Sequence, residues 1–177
     1  MKLIKDILVF QIETTGIDLE RDHILQLSAV LLDKDSLLEK NNYNGFVKVS
    51  FLDGTLHSHA DQLGVPFEVL RKSPKINEII KEFVTIFGYE PLLTTQSVQN
   101  YLFLRKAFKK TLTPFNYDKH LLDVWSLSYI YSLHAGLKKI PTLATLANHF
   151  NLKMAKPNDA LERARLTANV FKKIING

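Results

Sequence analysis

Few residues of this chain can do chemistry, and their types narrow what that chemistry can be. Cysteine is absent, so thiolate nucleophiles, disulfides and thiolate zinc sites are excluded. Of the six histidines, His57, His59, His120 and His134 show no spacing that brings a third metal ligand beside them. His57 and His59 fall in an expected loop, and His23 and His149 stand among apolar neighbours, where a structural role is expected. Glu13 closes an apolar run and is followed at once by the turn signal Thr14-Thr15-Gly16, which leaves an acid at a strand end. Asp159 and Glu162, three residues apart, read as a helix N-cap and its capping-box partner. Cations gather at Arg105, Lys106, Lys109 and Lys110, with further groups at Lys138-Lys139, Lys153/Lys156 and Lys172-Lys173. Such lysines are ordinarily a solvated helix face, and phosphate contacts that weaken with salt are the alternative. Tyr101 and Trp125 can stack on a base, but core positions are expected for both.

The elements that must hold these residues follow from apolar periodicity. Ile7 to Ile12 reads as a buried strand, Ile24 to Leu32 as a second, and the alternation from Gly45 to Phe51 as a third. Asn77 to Phe87 has helical spacing, with Ile79, Ile80, Phe83, Val84 and Phe87 on one face. Pro91 to Thr95 reads as a short strand, Tyr101 to Phe108 as a helix and Leu121 to Trp125 as a fifth strand. Helices are expected near Ser126–His134, Thr142–Asn151 and Asp159–Ile175. Three strands followed by strand–helix alternation argue for an α/β fold, a mixed sheet with helices packed on it. The 177 residues suit one domain, residues 1–177, with no linker or repeat inside it. No apolar run approaches the ~20 residues of a membrane-spanning helix, and Met1-Lys2-Leu3-Ile4-Lys5-Asp6 carries charge too early for a secretory signal. Lack of disulfides fits a cytoplasmic protein, and the net charge of +5 mildly favours polyanionic partners.

Three motifs in order carry a resemblance. Phe10-Gln11-Ile12-Glu13-Thr14-Thr15-Gly16-Ile17 resembles the first motif, Asp-x-Glu-Thr-Thr-Gly plus a hydrophobic residue, of the DEDDh 3′→5′ exonucleases of the proofreading-subunit type. Asp22 to Val30 is similar to that family's second strand, and Gln62-Leu63-Gly64-Val65 and Ser73-Pro74 keep its spacing. Thr95 to Leu104, anchored on Phe103-Leu104, lines up with a motif usually written His-Asn-x-x-Phe-Asp-x-x-Phe-Leu. Leu122-Asp123 and Thr142 to Ala147 match a later strand and helix, with Asp123 at a structural position and not at a ligand. Asn158 to Ala168 resembles His-x-Ala-Leu-x-Asp-Ala-x-x-Thr-Ala. The fold implied is ribonuclease H-like: a five-stranded mixed sheet, three antiparallel strands first and then parallel ones, flanked by helices.

Family members hydrolyse a phosphodiester with two Mg²⁺ or Mn²⁺ ions held by four carboxylates, and a histidine deprotonates the attacking water. Carried over residue by residue, the first aspartate is Gln11, the second Asn100, the third Arg163 and the histidine Asn158; Glu13 alone is retained. Hard cations need anionic oxygens, and Arg163 brings a cation that cannot be deprotonated. The constellation moves from about four negative charges to near neutrality, where each unit reversal within about 4 Å is worth several kcal/mol. Asn158 cannot serve as a general base, a role worth about 10²–10⁴-fold. Glu162 lies ~100° around a helix from Arg163 and does not replace the lost aspartate. The resemblance thus implies lost high-affinity metal binding, no confidently assigned catalytic residue, and a Glu13–Arg163 ion pair in the metals' place.

The expected function is an exonuclease-like domain without catalysis that binds single-stranded DNA or RNA, or a protein. Thr14, Thr15, Gly16 and Tyr101 are its expected nucleic-acid contacts. One alternative is an interaction or scaffold module forming the N-terminal part of a larger replication or repair protein. The other is an active metal-dependent exonuclease with an atypical site.

Overall fold

The computed structural model describes residues 2–49, 58, 60–61, 63–154 and 159–176. Its five strands are β1 (Ile7–Thr14), β2 (Ile24–Leu32), β3 (Glu39–Phe46), β4 (Leu92–Thr95) and β5 (Leu122–Asp123). They lie side by side in the order β3-β2-β1-β4-β5. β1 runs antiparallel to β2, from Ile7↔Leu32 to Thr14↔Ile24, and β2 antiparallel to β3. β4 is parallel to β1 and β5 is parallel to β4. The expected mixed sheet, antiparallel strands first, is therefore present. Its helices are α1 (Phe67–Lys72), α2 (Ile76–Phe87), α3 (Val98–Lys110), α4 (Val124–His134), α5 (Leu143–His149) and α6 (Ala160–Asn176). None of the described helices is long and apolar enough to cross a membrane.

Strand alternation divides the core between the two faces of the sheet. Leu8, Phe10 and Ile12 of β1 pack with Ile79, Ile80 and Phe83 of α2 and Phe103 and Leu104 of α3. Ile7 and Val9 pack on the opposite face with Val124 of α4, Leu146 of α5 and Ala164, Ala168 and Phe171 of α6. Gln11 and Glu13 are in phase with Val9, so the end of β1 offers both polar side chains on the α6 side.

Three elements differ from expectation. The third strand is Glu39–Phe46; of the expected Gly45 to Phe51, residues 47–49 are not strand, and Ser50 and Phe51 lie outside the described residues. It is an edge strand whose first four residues are exposed, so backbone pairing holds it where no apolar alternation marks it. Past Phe46, opposite Gln26, the Val47 amide still bonds the Leu25 carbonyl of β2, and the Lys48 amide turns to the Pro74 carbonyl at 2.7 Å. The fifth strand is cut to two residues because the Asp123 carboxylate caps α4, accepting from the amides of Trp125 and Ser126. Helix α1 was not expected, since Leu70 is its one buried residue. His57, His59, Gln62, Lys156 and Asn158 lie outside the described residues.

Candidate functional site

The carboxyl ends of β1 and β4 meet the first turns of α3 and α6, and the turn chemistry sets what they present. The Ser97 hydroxyl accepts from the Gln99 amide at 3.2 Å and starts α3, which places Asn100 in its first turn beside Thr95. The Asp159 carboxylate accepts from the Glu162 amide at 3.0 Å, the N-cap half of the expected capping box, and puts Arg163 in the first turn of α6, while the Glu162 carboxylate accepts from Arg165 at 3.3 Å. Gln11 and Asn100 are 5% and 8% exposed, so their amides need partners. They find each other. Asn100 Nδ2 donates to Thr95 Oγ1 at 3.0 Å and to Gln11 Oε1 at 3.1 Å. Gln11 Nε2 stands 3.4 Å from Glu13 Oε1, which also accepts from Arg163 Nη1 at 2.8 Å. The Glu13–Arg163 pair expected from the sequence is formed, and one chain of hydrogen bonds runs from Thr95 to Arg163.

Electrostatics at this chain are nearly balanced. The Glu13 side chain is 16% exposed and Arg163 37%, so the carboxylate lies deeper and the guanidinium outside it. Burial pushes the Glu13 carboxyl up, against the lowering influence of Arg163 and of the Gln11 amide. The donor set does not fit two divalent ions. Glu13 is the single anion here among the described residues, its Oε1 already accepts two bonds, and Gln11 Oε1 is taken by Asn100. Among the described residues no three acids or histidines cluster where a metal could sit.

A cleft of about 220 Å³ opens over this chain, walled by Gln11, Glu13, Asn100 and Arg163 together with Thr14, Gly16, Gln96, Ser97 and Gln99. The loop after β1 forms its lip, and the organiser of that loop, Asp22, was not singled out in the sequence. Its carboxylate accepts from Thr15 Oγ1 at 2.7 Å and from the Asp18 amide at 2.7 Å. A Cβ on Gly16 would stand 2.5 Å from Asp22 Oδ2, so any larger residue there must displace a carboxylate that two hydrogen bonds hold. Gln99 Nε2 donates to the Ile17 carbonyl at 2.5 Å and Lys106 Nζ to the Leu19 carbonyl, tying the loop to α3. No spacing signal in the sequence marks these cross-links.

Other expected residues are placed elsewhere. Tyr101 is not in the cleft wall; its ring meets Phe115 edge-on at 6.0 Å and its hydroxyl accepts from Arg105. Trp125 is exposed and not in the core, stacked on Tyr129 at 5.6 Å and 16°. Helix α4 buries Val124, Ser128 and Ser132 and exposes Trp125, Tyr129, Ile130 and Leu133. His149 is exposed and touches Tyr131 and Phe150. Lys106, Lys109 and Lys110, with Lys48, edge a hollow of about 600 Å³ floored by Phe103, Ala107 and Ile24. His23 lines the same hollow, and burial, then Lys110 and Lys106, lower its pKa.

Known proteins share this architecture. The exonuclease family model matches residues 8–171. A DNA polymerase III of the PolC type from Caldanaerobacter subterraneus is 27% identical over 172 residues, 96% of this chain and 12% of the polymerase. The chain thus spans about an eighth of that relative's length. The DNA polymerase III subunit epsilon of Aquifex aeolicus is 26% identical over 170 residues, 94% of this chain and 79% of the subunit. Among solved structures, the nuclease domain of 3′hExo, a DEDDh family member bound to rAMP, superposes with a TM-score of 0.77 at 13% identity. That match covers 99% of this chain and 94% of the other.

Proposed function

Since the chain belongs to the exonuclease family, in its DEDDh 3′→5′ branch, we propose that it keeps the family's cleft but not its hydrolysis, and binds an end of single-stranded DNA or RNA there. The observation that carries the reading is the hydrogen-bonded chain Thr95–Asn100–Gln11–Glu13–Arg163. A hydrolytic site of this kind needs excess negative charge to hold cations and a base to activate water. Here neutral amides occupy each other, and the remaining carboxylate is neutralised by a guanidinium at 2.8 Å. What remains is a cleft with ordered polar walls, a loop pinned by Asp22, and lysines along α3.

The test pairs two measurements on one preparation. Length-resolved electrophoresis of an end-labelled single strand, with Mg²⁺ or Mn²⁺, should show no trimming. Anisotropy of the same strand should show binding that weakens with salt, log K falling with log salt by ~0.7 per phosphate contacted. Metal-dependent shortening from the 3′ end would establish the atypical active exonuclease instead.

A second reading, an interaction module of a larger replication or repair protein, is favoured by the exposed apolar face of α4. Trp125, Tyr129, Ile130 and Leu133 are 42–60% exposed there, and relatives of this chain are polymerase proteins. A strand that fails to bind at low salt would favour this reading.

A further inference from the structure

We propose that Arg163 is a phosphate-binding residue, so that the cleft grips the phosphate of a terminal nucleotide without any divalent cation. This rests on the reading of the cleft as a strand-end site. An arginine has five N–H donors in a planar fork that matches phosphate oxygens two at a time. One Nη1 donor is spent on Glu13, and among the described residues Arg163 makes no other side-chain hydrogen bond. That single bond fixes the guanidinium while leaving Nε and Nη2 for a ligand. Arg163 stands outward of Glu13, 37% against 16% exposed, so an entering anion meets the cation first.

The rest of the wall agrees with that polarity. Among the described residues Glu13 is the one acidic residue lining the cleft; besides Arg163 the other polar side chains are amides and hydroxyls, among them Gln96, Ser97 and Gln99. At about 220 Å³ the cleft is smaller than the roughly 300–1,000 Å³ of a pocket that encloses a whole drug-sized ligand. It suits a phosphate and its sugar, with the base left outside. Glu13 then has two opposing effects on the ligand, orienting Arg163 and repelling the phosphate, and this opposition makes the proposal testable.

Calorimetric titration of the full chain in EDTA would use thymidine 5′-monophosphate, thymidine and a short oligothymidylate as probes. The monophosphate should bind without metal. Arg163→Gln should weaken it about tenfold or more, the worth of a charge-assisted hydrogen bond, and Arg163→Lys should restore part of the loss. Glu13→Gln should tighten the monophosphate, because repulsion goes while the cation stays. Thymidine should not respond to either change. Equal weakening by Glu13→Gln and Arg163→Gln would overturn the proposal, since both would then act through a merely structural pair. A requirement for Mg²⁺ would overturn it as well. Oligothymidylate that binds wild type and all variants alike sinks the phosphate role and spares the strand reading. A monophosphate that binds in the expected ranking beside a strand that does not bind has the reverse meaning. If neither probe binds, both ideas fall.

Discussion

Removing Arg163 should destabilise the fold by an amount that depends on pH. At 2.8 Å the Arg163–Glu13 attraction is roughly 6 kcal/mol gross at an effective dielectric near 20. Arg163 is 37% exposed, so solvent screening and the desolvation already spent on Glu13 cut the net loss in Arg163→Ala to about 1–3 kcal/mol at neutral pH. Burial already holds the Glu13 carboxyl above its ordinary 4.5. A carboxyl raised on folding binds its proton more readily in the folded chain. Its ionisation therefore costs stability as the pH climbs from the unfolded value through the folded one. Arg163 is the main lowering influence, so its removal moves the folded value further up and widens that costly window. Urea unfolding of wild type and Arg163→Ala should show midpoints farthest apart at neutral pH and converging below about pH 4, where Glu13 is protonated in both states. In a Glu13→Gln background the same substitution should cost much less. A loss that stays constant with pH, or that persists undiminished beside Gln at position 13, would refute the reasoning.

Gln11→Asp, Asn100→Asp, Asn158→His and Arg163→Asp together should confer Mn²⁺-dependent trimming of a 3′ end, while each alone does almost nothing because such residues act as a unit; an end-labelled oligonucleotide reads out both. Gly16→Ala places a methyl about 2.5 Å from a carboxylate that two hydrogen bonds hold in place. It should cost about 1–3 kcal/mol in urea unfolding and weaken strand binding. Asp123→Ala removes the cap of α4 and should lower stability by ~1 kcal/mol in urea unfolding, with strand affinity unchanged.

What the sequence revealed of the fold tracks how each element is held. β2 was readable at both ends because it is a nearly unbroken apolar run buried on both faces of the sheet, and α2 to within a residue because it buries one apolar face. β3 was misplaced because hydrogen bonds to β2, and not side-chain burial, define an edge strand that begins Glu39-Lys40-Asn41-Asn42. At the site, Gln11, Asn100 and Arg163 are unremarkable residue types, and only the resemblance placed them together. Their mutual hydrogen bonds then emerged from the geometry. Asp22 escaped notice because it acts on a turn through Thr15, Gly16 and Asp18, and a lone aspartate near a glycine carries no signal. Trp125 was misjudged because α4 is apolar nearly all round, and small serines, which let it approach closely, occupy the face it buries.

The surface position of Trp125 has a spectroscopic consequence. It is the single tryptophan of the chain, it is 42% exposed, and it lies against Tyr129 on the uncovered side of α4. Its indole is already wet in the folded protein, so emission should lie toward the red in the native state and move little on denaturation. Intrinsic fluorescence would thus be a poor thermometer of folding and a sensitive witness of whatever comes to rest on α4. Docking there would dry the indole and shift its light toward the blue, while a nucleotide entering the cleft near Arg163 would leave the colour unchanged.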